Sequence, residues 1–293
     1  MTQKRDQSTA WLMLAPVLLV VLGAIGYPLL RTLYLSFTSS RLTALNLTPS
    51  WVGLENYVNA LGNPKFLEAA SHTGYFVFVN IGLEVVLGVL VGLLLNQEFP
   101  GRAFVRLLLI VPLALPTVVN AIMWRWIYNP EFGALNALLT QTGILPEYRS
   151  WLGEPDLAMN MIILADVWKN YPLVALVVLA ALQLIPKELY EAAEIDGAGL
   201  WARFWGITWP GILPTLSVAI VLRTIEAVKV FDIVYVMTRG GPADSTKTLS
   251  FSVYEEGFSY LRAGSGSAYA YLVVLACLVL IALYIRLVRQ DAK

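Results

Sequence analysis

Ala263-Gly-Ser-Gly-Ser-Ala-Tyr-Ala-Tyr-Leu-Val-Val-Leu-Ala-Cys-Leu-Val-Leu-Ile-Ala-Leu-Tyr-Ile285 is a run of 23 residues without a charge. A helix needs about 20 apolar residues to cross a hydrocarbon core roughly 30 Å thick, so this run alone is long enough to span a bilayer. Five further stretches qualify. Ala10 to Leu30 carries no charge, Ser71 to Gln97 carries only Glu84, and Leu107 to Trp124 is interrupted by Pro112 and Pro116 but by no charge. Leu157 to Pro186 holds Asp166 and Lys169 near its start, and Ile207 to Met237 is uncharged as far as Leu222 and polar beyond it. The expected fold class is all-α, a polytopic membrane protein with six transmembrane helices. Core helices of a water-soluble protein are the alternative, and six such stretches in a chain this short argue against them.

Composition agrees. Of 293 residues, 58% are apolar and 14% charged, against roughly 25% charged in an ordinary soluble domain. The mean hydropathy is +0.67. Twenty Lys plus Arg balance twenty Asp plus Glu, which argues against nucleic acid as a partner. The single cysteine, Cys277, excludes an internal disulfide and a cysteine-rich zinc site. The single histidine, His72, excludes every motif that needs two. No function is assigned to either.

Basic residues beside the spans orient the chain. With the amino terminus cytoplasmic, the inner segments carry nine: Lys4, Arg5, Arg102, Arg106, Lys187, Arg203, Arg286, Arg289 and Lys293. The longer outer connections carry six: Arg41, Lys65, Arg149, Arg239, Lys247 and Arg262. Both termini are therefore expected inside. The first stretch follows Lys4 and Arg5 as a secretory signal would, but it exceeds the roughly 7 to 15 residues of a signal core and no small-residue cleavage site follows. It reads as an uncleaved anchor. The expected division is an anchor helix with its outer loop over 1–70, then a compact five-helix core over 71–293.

Ionisable groups inside a span cost roughly 2.5 to 3.5 kcal/mol each on insertion scales, so they need a partner or a wet cavity. Arg223, Glu226, Lys229 and Asp232 recur every three residues with alternating sign, and each can reach its neighbour along one helix. Because that stripe winds by about 180°, it cannot all face one cavity. Asp166 and Lys169 are again three apart, followed by Asn170, Tyr171 and Pro172. Trp168 and Tyr171 beside amide and charged groups are residue types that hold a sugar ring, although aromatics are also common at membrane interfaces without a ligand. Asn80, Glu84 and Asn120 are lone polar groups in apolar helices: pathway candidates, or interhelical hydrogen-bond partners. Gly88 and Gly92 read as a small-residue packing face.

One inner connection has a different character. It reads Pro186-Lys-Glu-Leu-Tyr190-Glu191-Ala192-Ala193-Glu-Ile195-Asp-Gly197-Ala-Gly199-Leu-Trp201-Ala-Arg-Phe204-Trp-Gly-Ile207-Thr-Trp209-Pro210. Pro186 stops the membrane helix, strong helix formers favour a short helix over 187–195, and Gly197 and Gly199 break it. By these properties alone the segment is an amphipathic interfacial connector or a docking helix.

Glu191-Ala192-Ala193, Gly197, Ile207 and Pro210 resemble the EAA signature of the permease subunits of binding-protein-dependent ABC importers. The wider run from Glu191 to Ala198 with Trp201, Phe204 and Pro210 is similar to the carbohydrate branch, the maltose and trehalose type. So are Phe231-Asp-Ile-Val-Tyr235, Thr238-Arg-Gly-Gly-Pro242 and Thr248-Leu249. One departure is Trp209 where the signature usually has Leu, which affects the exit from the loop more than the contact itself.

The resemblance implies a type I importer permease (MetI-like) fold with a coupling helix at about 187–206. In the family that helix sits in a groove on the cytoplasmic ATPase. Carried over, Glu191 would meet the ATPase, Ala192 and Ala193 would form the tight face, and Gly197 the turn. The implied partners are a second permease subunit, two ATPase subunits, an extracytoplasmic sugar-binding protein and membrane lipid, in a prokaryotic inner membrane. The implied cargo is a di- or oligosaccharide, with Asn80, Glu84, Asn120, Trp168, Asn170, Tyr171 and Glu226 as pathway candidates. No catalytic residue, metal or cofactor is expected on this chain: it has no Gly-Lys dipeptide and hence no Walker A loop, so ATP and Mg would bind the partner ATPase. Two rival classes are a secondary transporter using Asp166, Glu226 or Asp232 for a coupling ion, and an intramembrane protease pairing Asp166 with Asp232. The opposite charges three residues from each favour structural pairing over the protease.

Overall fold

A computed structural model describes residues 13–43 and 49–291. Lys4, Arg5 and Lys293, used above for orientation, and the start of the Ala10–Leu30 stretch lie outside them. The elements are helical: α1 Met13–Ser36, α2 Glu55–Leu61, α3 Pro64–Asn96, α4 Arg102–Ala114, α5 Thr117–Ile127, α6 Ala134–Gln141, α7 Pro155–Leu182, α8 Lys187–Ile195, α9 Leu200–Val228, α10 Asp232–Met237, α11 Leu249–Tyr254 and α12 Ala263–Asp291. A single bridge between Thr38 and Trp51 is the only β pairing among the described residues. Five of these helices are long and apolar enough to cross a membrane, and α4 with α5 makes a sixth if the bent pair counts as one span.

Two of the expected spans are corrected. Leu107 to Trp124 is not one helix: α4 and α5 meet at 100°. Pro116 removes a backbone donor and excludes a helical conformation for the residue before it, and Leu115 is extended with φ −74° and ψ 133°. Ile207 to Met237 is not continuous either. Helix α9 ends at Val228, Phe231 leaves helical geometry with φ −139°, and α10 restarts at Asp232.

The chain groups into two compact units. One comprises the residues up to Pro64 together with Ser252–Val274; the other comprises Lys65–Phe251 and Leu275 onward. In the first, Asn56 Nδ2 donates to the carbonyls of Ser36 (2.8 Å) and Thr38 (2.9 Å), while Gly264 N donates to Ser40 O (3.0 Å). A Cβ at Gly264 would lie 2.0 Å from the Thr38 carbonyl oxygen, so only glycine fits that crossing.

In the second unit α7 is the most buried span, and α3 and α9 pack on it. Gly88 and Gly92 form the α3 face, as their spacing predicts: a Cβ there would meet Val174 Cγ1 at 2.5 Å and Val178 Cγ1 at 2.7 Å. Around that contact Val89, Val174, Val178, Ala181, Leu182, Ile212 and Leu216 make one buried cluster. A second, towards the other end, gathers Phe76, Tyr128, Ile162, Ile163, Val167, Ile233 and Val234.

Candidate functional site

Three helices meet at a buried charge cluster. Glu84 on α3 is fully buried, and Arg223 on α9 donates to both of its oxygens, Nε to Oε2 at 2.8 Å and Nη2 to Oε1 at 2.6 Å. Arg223 Nη2 also reaches Asp166 Oδ2 on α7 at 3.3 Å, and Nη1 donates to Glu226 one turn further along α9. Asn80 Nδ2 bridges the two buried carboxylates, at 3.0 Å from Glu84 Oε1 and 3.0 Å from Asp166 Oδ2. A planar guanidinium meeting a carboxylate edge-on makes the strongest pairing available to side chains. That geometry is what makes three charges tolerable between helices.

The cluster forms one wall of a cavity of about 260 Å³ lined also by Thr117, Lys169, Asn170, Lys229, Phe231 and Asp232. Glu226, its side chain 62% exposed, and the exposed Asp232 are carboxylates that line this space. Asn170 is buried and donates to the Asp166 carbonyl at 3.0 Å. The lining combines hydrogen-bond acceptors, amide and ammonium donors and the flat face of Phe231, a combination suited to a polyhydroxylated ring.

The sequence-derived candidates divide accordingly. Glu226 and Asn170 line the cavity, and Asn80 and Glu84 stand behind its wall. Asn80 and Glu84 are not lone groups but members of one network. Asn120 is fully buried and donates to the Ala165 carbonyl at 3.1 Å, linking α5 to α7. Trp168 packs edge-on against Trp124, with ring centroids 5.8 Å apart, and Tyr171 packs into the apolar clusters; none of these three lines the cavity. The charge stripe is also corrected. Only Arg223–Glu226 forms an ion pair, because the helix ends before Lys229, and Asp166 pairs with Arg223 rather than Lys169. The missed signal was charge balance between spans: Glu84 has no basic neighbour on its own helix, so its cation had to come from another.

At the opposite end of α7 and α9, helix α8 matches its expected bounds, 187–195. It ends in a Schellman turn: Ala198 N donates to Ala193 O (2.8 Å) and Gly197 N to Glu194 O (3.0 Å), with Gly197 at φ +78°. Glu191 and Ala192 are exposed, whereas Tyr190 and Ala193, one turn apart, are its only residues turned inward.

The connections between helices carry their own ion pairs. Lys247, then Lys65, hold the Asp244 carboxyl below its ordinary range, with Nζ–O distances of 3.0 and 3.3 Å. Arg149 likewise lowers that of Glu154 by hydrogen bonding.

Residues 84–290 match the model of the family described as binding-protein-dependent transport system inner membrane component. The chain is 39% identical over 97% of its length to the trehalose/maltose transport system permease protein MalF of Thermococcus litoralis, covering 95% of that protein. It is 37% identical over 98% of its length to the sulfoquinovosyl glycerol transport system permease protein SmoG of Agrobacterium fabrum, covering 92% of it. Among solved structures it resembles a chain of a bacterial ABC transporter involved in import of the acidic polysaccharide alginate, with a TM-score of 0.85 over the whole of both chains at 22% identity, a likeness of fold.

Proposed function

Because this chain belongs to the family of binding-protein-dependent inner membrane transport components, we propose that it is one of two permease subunits lining the path of an ATP-driven importer of di- or oligosaccharides. The observation that carries this reading is α8, a helix with no buried residue that connects α7 and α9, two of the helices that line the charged cavity. An amphipathic helix left bare in this way has a surface to give to another protein. Glu191 and Ala192 are exposed on it, and Gly197 makes the turn that returns the chain to the membrane. The names of the relatives, trehalose/maltose and sulfoquinovosyl glycerol permeases, support a carbohydrate cargo.

The protein is a multi-pass component of the inner membrane. Both termini and α8 lie on the cytoplasmic side in this reading, supported by nine basic residues against six. Two ATPase subunits bind ATP and Mg and grip α8 and its counterpart on the second permease. A sugar-binding protein delivers cargo from outside, and ATPase closure, favoured in one permease state over the other, drives alternating access. Within the cavity Glu226 and Asn170 offer hydrogen bonds to sugar hydroxyls. An ion-gradient mechanism and an intramembrane protease are less well supported. Asp166 is committed to Arg223 and Asn80, and it shares no hydrogen bond with Asp232.

Pull-down of the wild type and of Glu191→Lys from membranes tests the coupling role. The wild type retains the ATPase subunit and Glu191→Lys loses it; absence of the ATPase from both refutes the reading. Sugar-stimulated ATP hydrolysis by the assembled complex across a panel of disaccharides then identifies the cargo class.

A further inference from the structure

Helix α8 is nearly unanchored. Apart from its two chain ends, its side-chain polar links among the described residues are an exposed Glu194–Arg203 pair at 3.4 Å and one part-buried hydrogen bond, Tyr190 Oη to Thr208 Oγ1 at 2.9 Å. An exposed pair of that length contributes little, so the Tyr190 bond is the specific link. Thr208 is buried and is the last residue of a π-helical turn, Phe204–Thr208, that leads without a break into the membrane part of α9. A π-turn inside an α-helix is a site where register can shift at modest cost, and such turns concentrate at functional sites.

The surroundings constrain how this link can move. Phe204, which opens the turn, and Trp209, which follows it, pack on the apolar cluster that joins α3, α7 and α9. Three residues beyond Thr208, Gly211 lies against Ile185 at the exit of α7, where an added Cβ would come within 2.5 Å of Ile185 Cδ1. The start of the membrane part of α9 is thus pinned to the α7–α8 connection at Gly211 and tied to α8 at Thr208. Arg223 and Glu226 stand four turns further along the same helix, at the charged cavity.

We propose that Tyr190 and Thr208 are positioning residues for transport: their hydrogen bond carries displacement of α8 into α9, with the Ile185–Gly211 contact as fulcrum, and so sets how much sugar moves per ATP hydrolysed. The inference rests on α8 being the ATPase-coupling helix. Neither side chain needs to touch the ATPase, since Tyr190 is turned towards α9 and Thr208 is buried in it. Without the hydroxyl pair, α8 still binds the ATPase but slips against α9.

The complete complex, with second permease, ATPase subunits and binding protein, is reconstituted in vesicles, and sugar uptake and ATP hydrolysis are measured together. Tyr190→Phe keeps the ring and removes only the oxygen; Thr208→Val keeps the volume and removes the hydroxyl. Each is expected to lower sugar moved per ATP by about threefold to tenfold, the scale of one lost hydrogen bond, with ATPase retention in the pull-down unchanged. The double variant falls no further than either single, because both remove the same link, and Thr208→Ser restores the ratio. A ratio unchanged in both single variants overturns the proposal, and so does a double variant whose loss is the product of the singles. If the wild-type complex retains no ATPase, the coupling-helix reading itself fails, and this inference with it.

Discussion

Glu84 and Glu191 carry the same side chain into opposite surroundings. Glu84 is fully buried with both oxygens held by Arg223, whereas Glu191 stands on an exposed helix and makes no hydrogen bond or ion pair among the described residues. A buried carboxylate loses its water and must be matched by the protein itself. Its partners, Arg223 on α9 and Asn80 on α3, are therefore part of the fold, and the group has little left to offer a ligand. An exposed carboxylate keeps its water at no cost to folding, so it remains available to a partner outside the chain. Glu226 stands between them, with one contact to Arg223 and the rest of its surface open to the cavity.

The contrast is broken most severely by Arg223→Met, which leaves Glu84 buried without its cation. Stability should fall by about 3 to 5 kcal/mol, read as lost thermal stability of the detergent-purified permease. Combining it with Glu84→Gln should recover part of that loss, and a double variant as unstable as the single would mean that Asp166 carries the burden. Gly88→Ala tests packing beside the cluster. Its Cβ meets a buried, β-branched Val174 at 2.5 Å, for an expected cost of about 1 to 3 kcal/mol.

The exposed side of the comparison gives smaller effects. Asp244, on the connection between α10 and α11 and paired with Lys247 and Lys65, has a side chain 40% exposed, so Asp244→Asn should cost at most about 1 kcal/mol. Because the carboxyl is held below its ordinary range, that contribution is present at neutral pH and disappears as pH falls through the carboxylate range. Limited proteolysis of the loop in wild type and variant should then differ at pH 7 and converge in acid. Glu191→Lys should leave thermal stability within about 0.5 kcal/mol of wild type while abolishing ATPase retention. A large loss of stability there would show that Glu191 belongs to the fold after all.

Features that depend on a single segment were legible in the sequence. The five long apolar helices, the Gly88–Gly92 packing face and the bounds of α8 with its glycine turn all follow from local composition and spacing. Breaks within a segment were less legible. Pro116 was visible as an interruption between 107 and 124, but proline alone does not determine whether a helix kinks or turns through 100°. The end of α9 at Val228 had no proline or glycine to announce it. The site was half legible: Asn80, Glu84, Asn170 and Glu226, singled out for polarity or charge within the spans, stand at the cavity or behind its wall, whereas Asn120, singled out on the same ground, and Trp168 and Tyr171, singled out as aromatics able to hold a sugar ring, serve interhelical bonding or packing instead.

The sequence by itself determined that this chain carries stretches long and apolar enough to cross a bilayer and that the connection after Pro186 carries a short helix ended by glycine. Hydrophobic length and backbone propensity act over a few turns and need no distant partner. Only the tertiary structure decided which charges meet. Arg223 could pair with Glu226 along its own helix at a spacing any helix allows, yet its principal contact is Glu84, 139 residues away. Electrostatic pairing in a medium without water is settled by which helices pack together, and the helices pack where Gly88 and Gly92 let α3 approach α7.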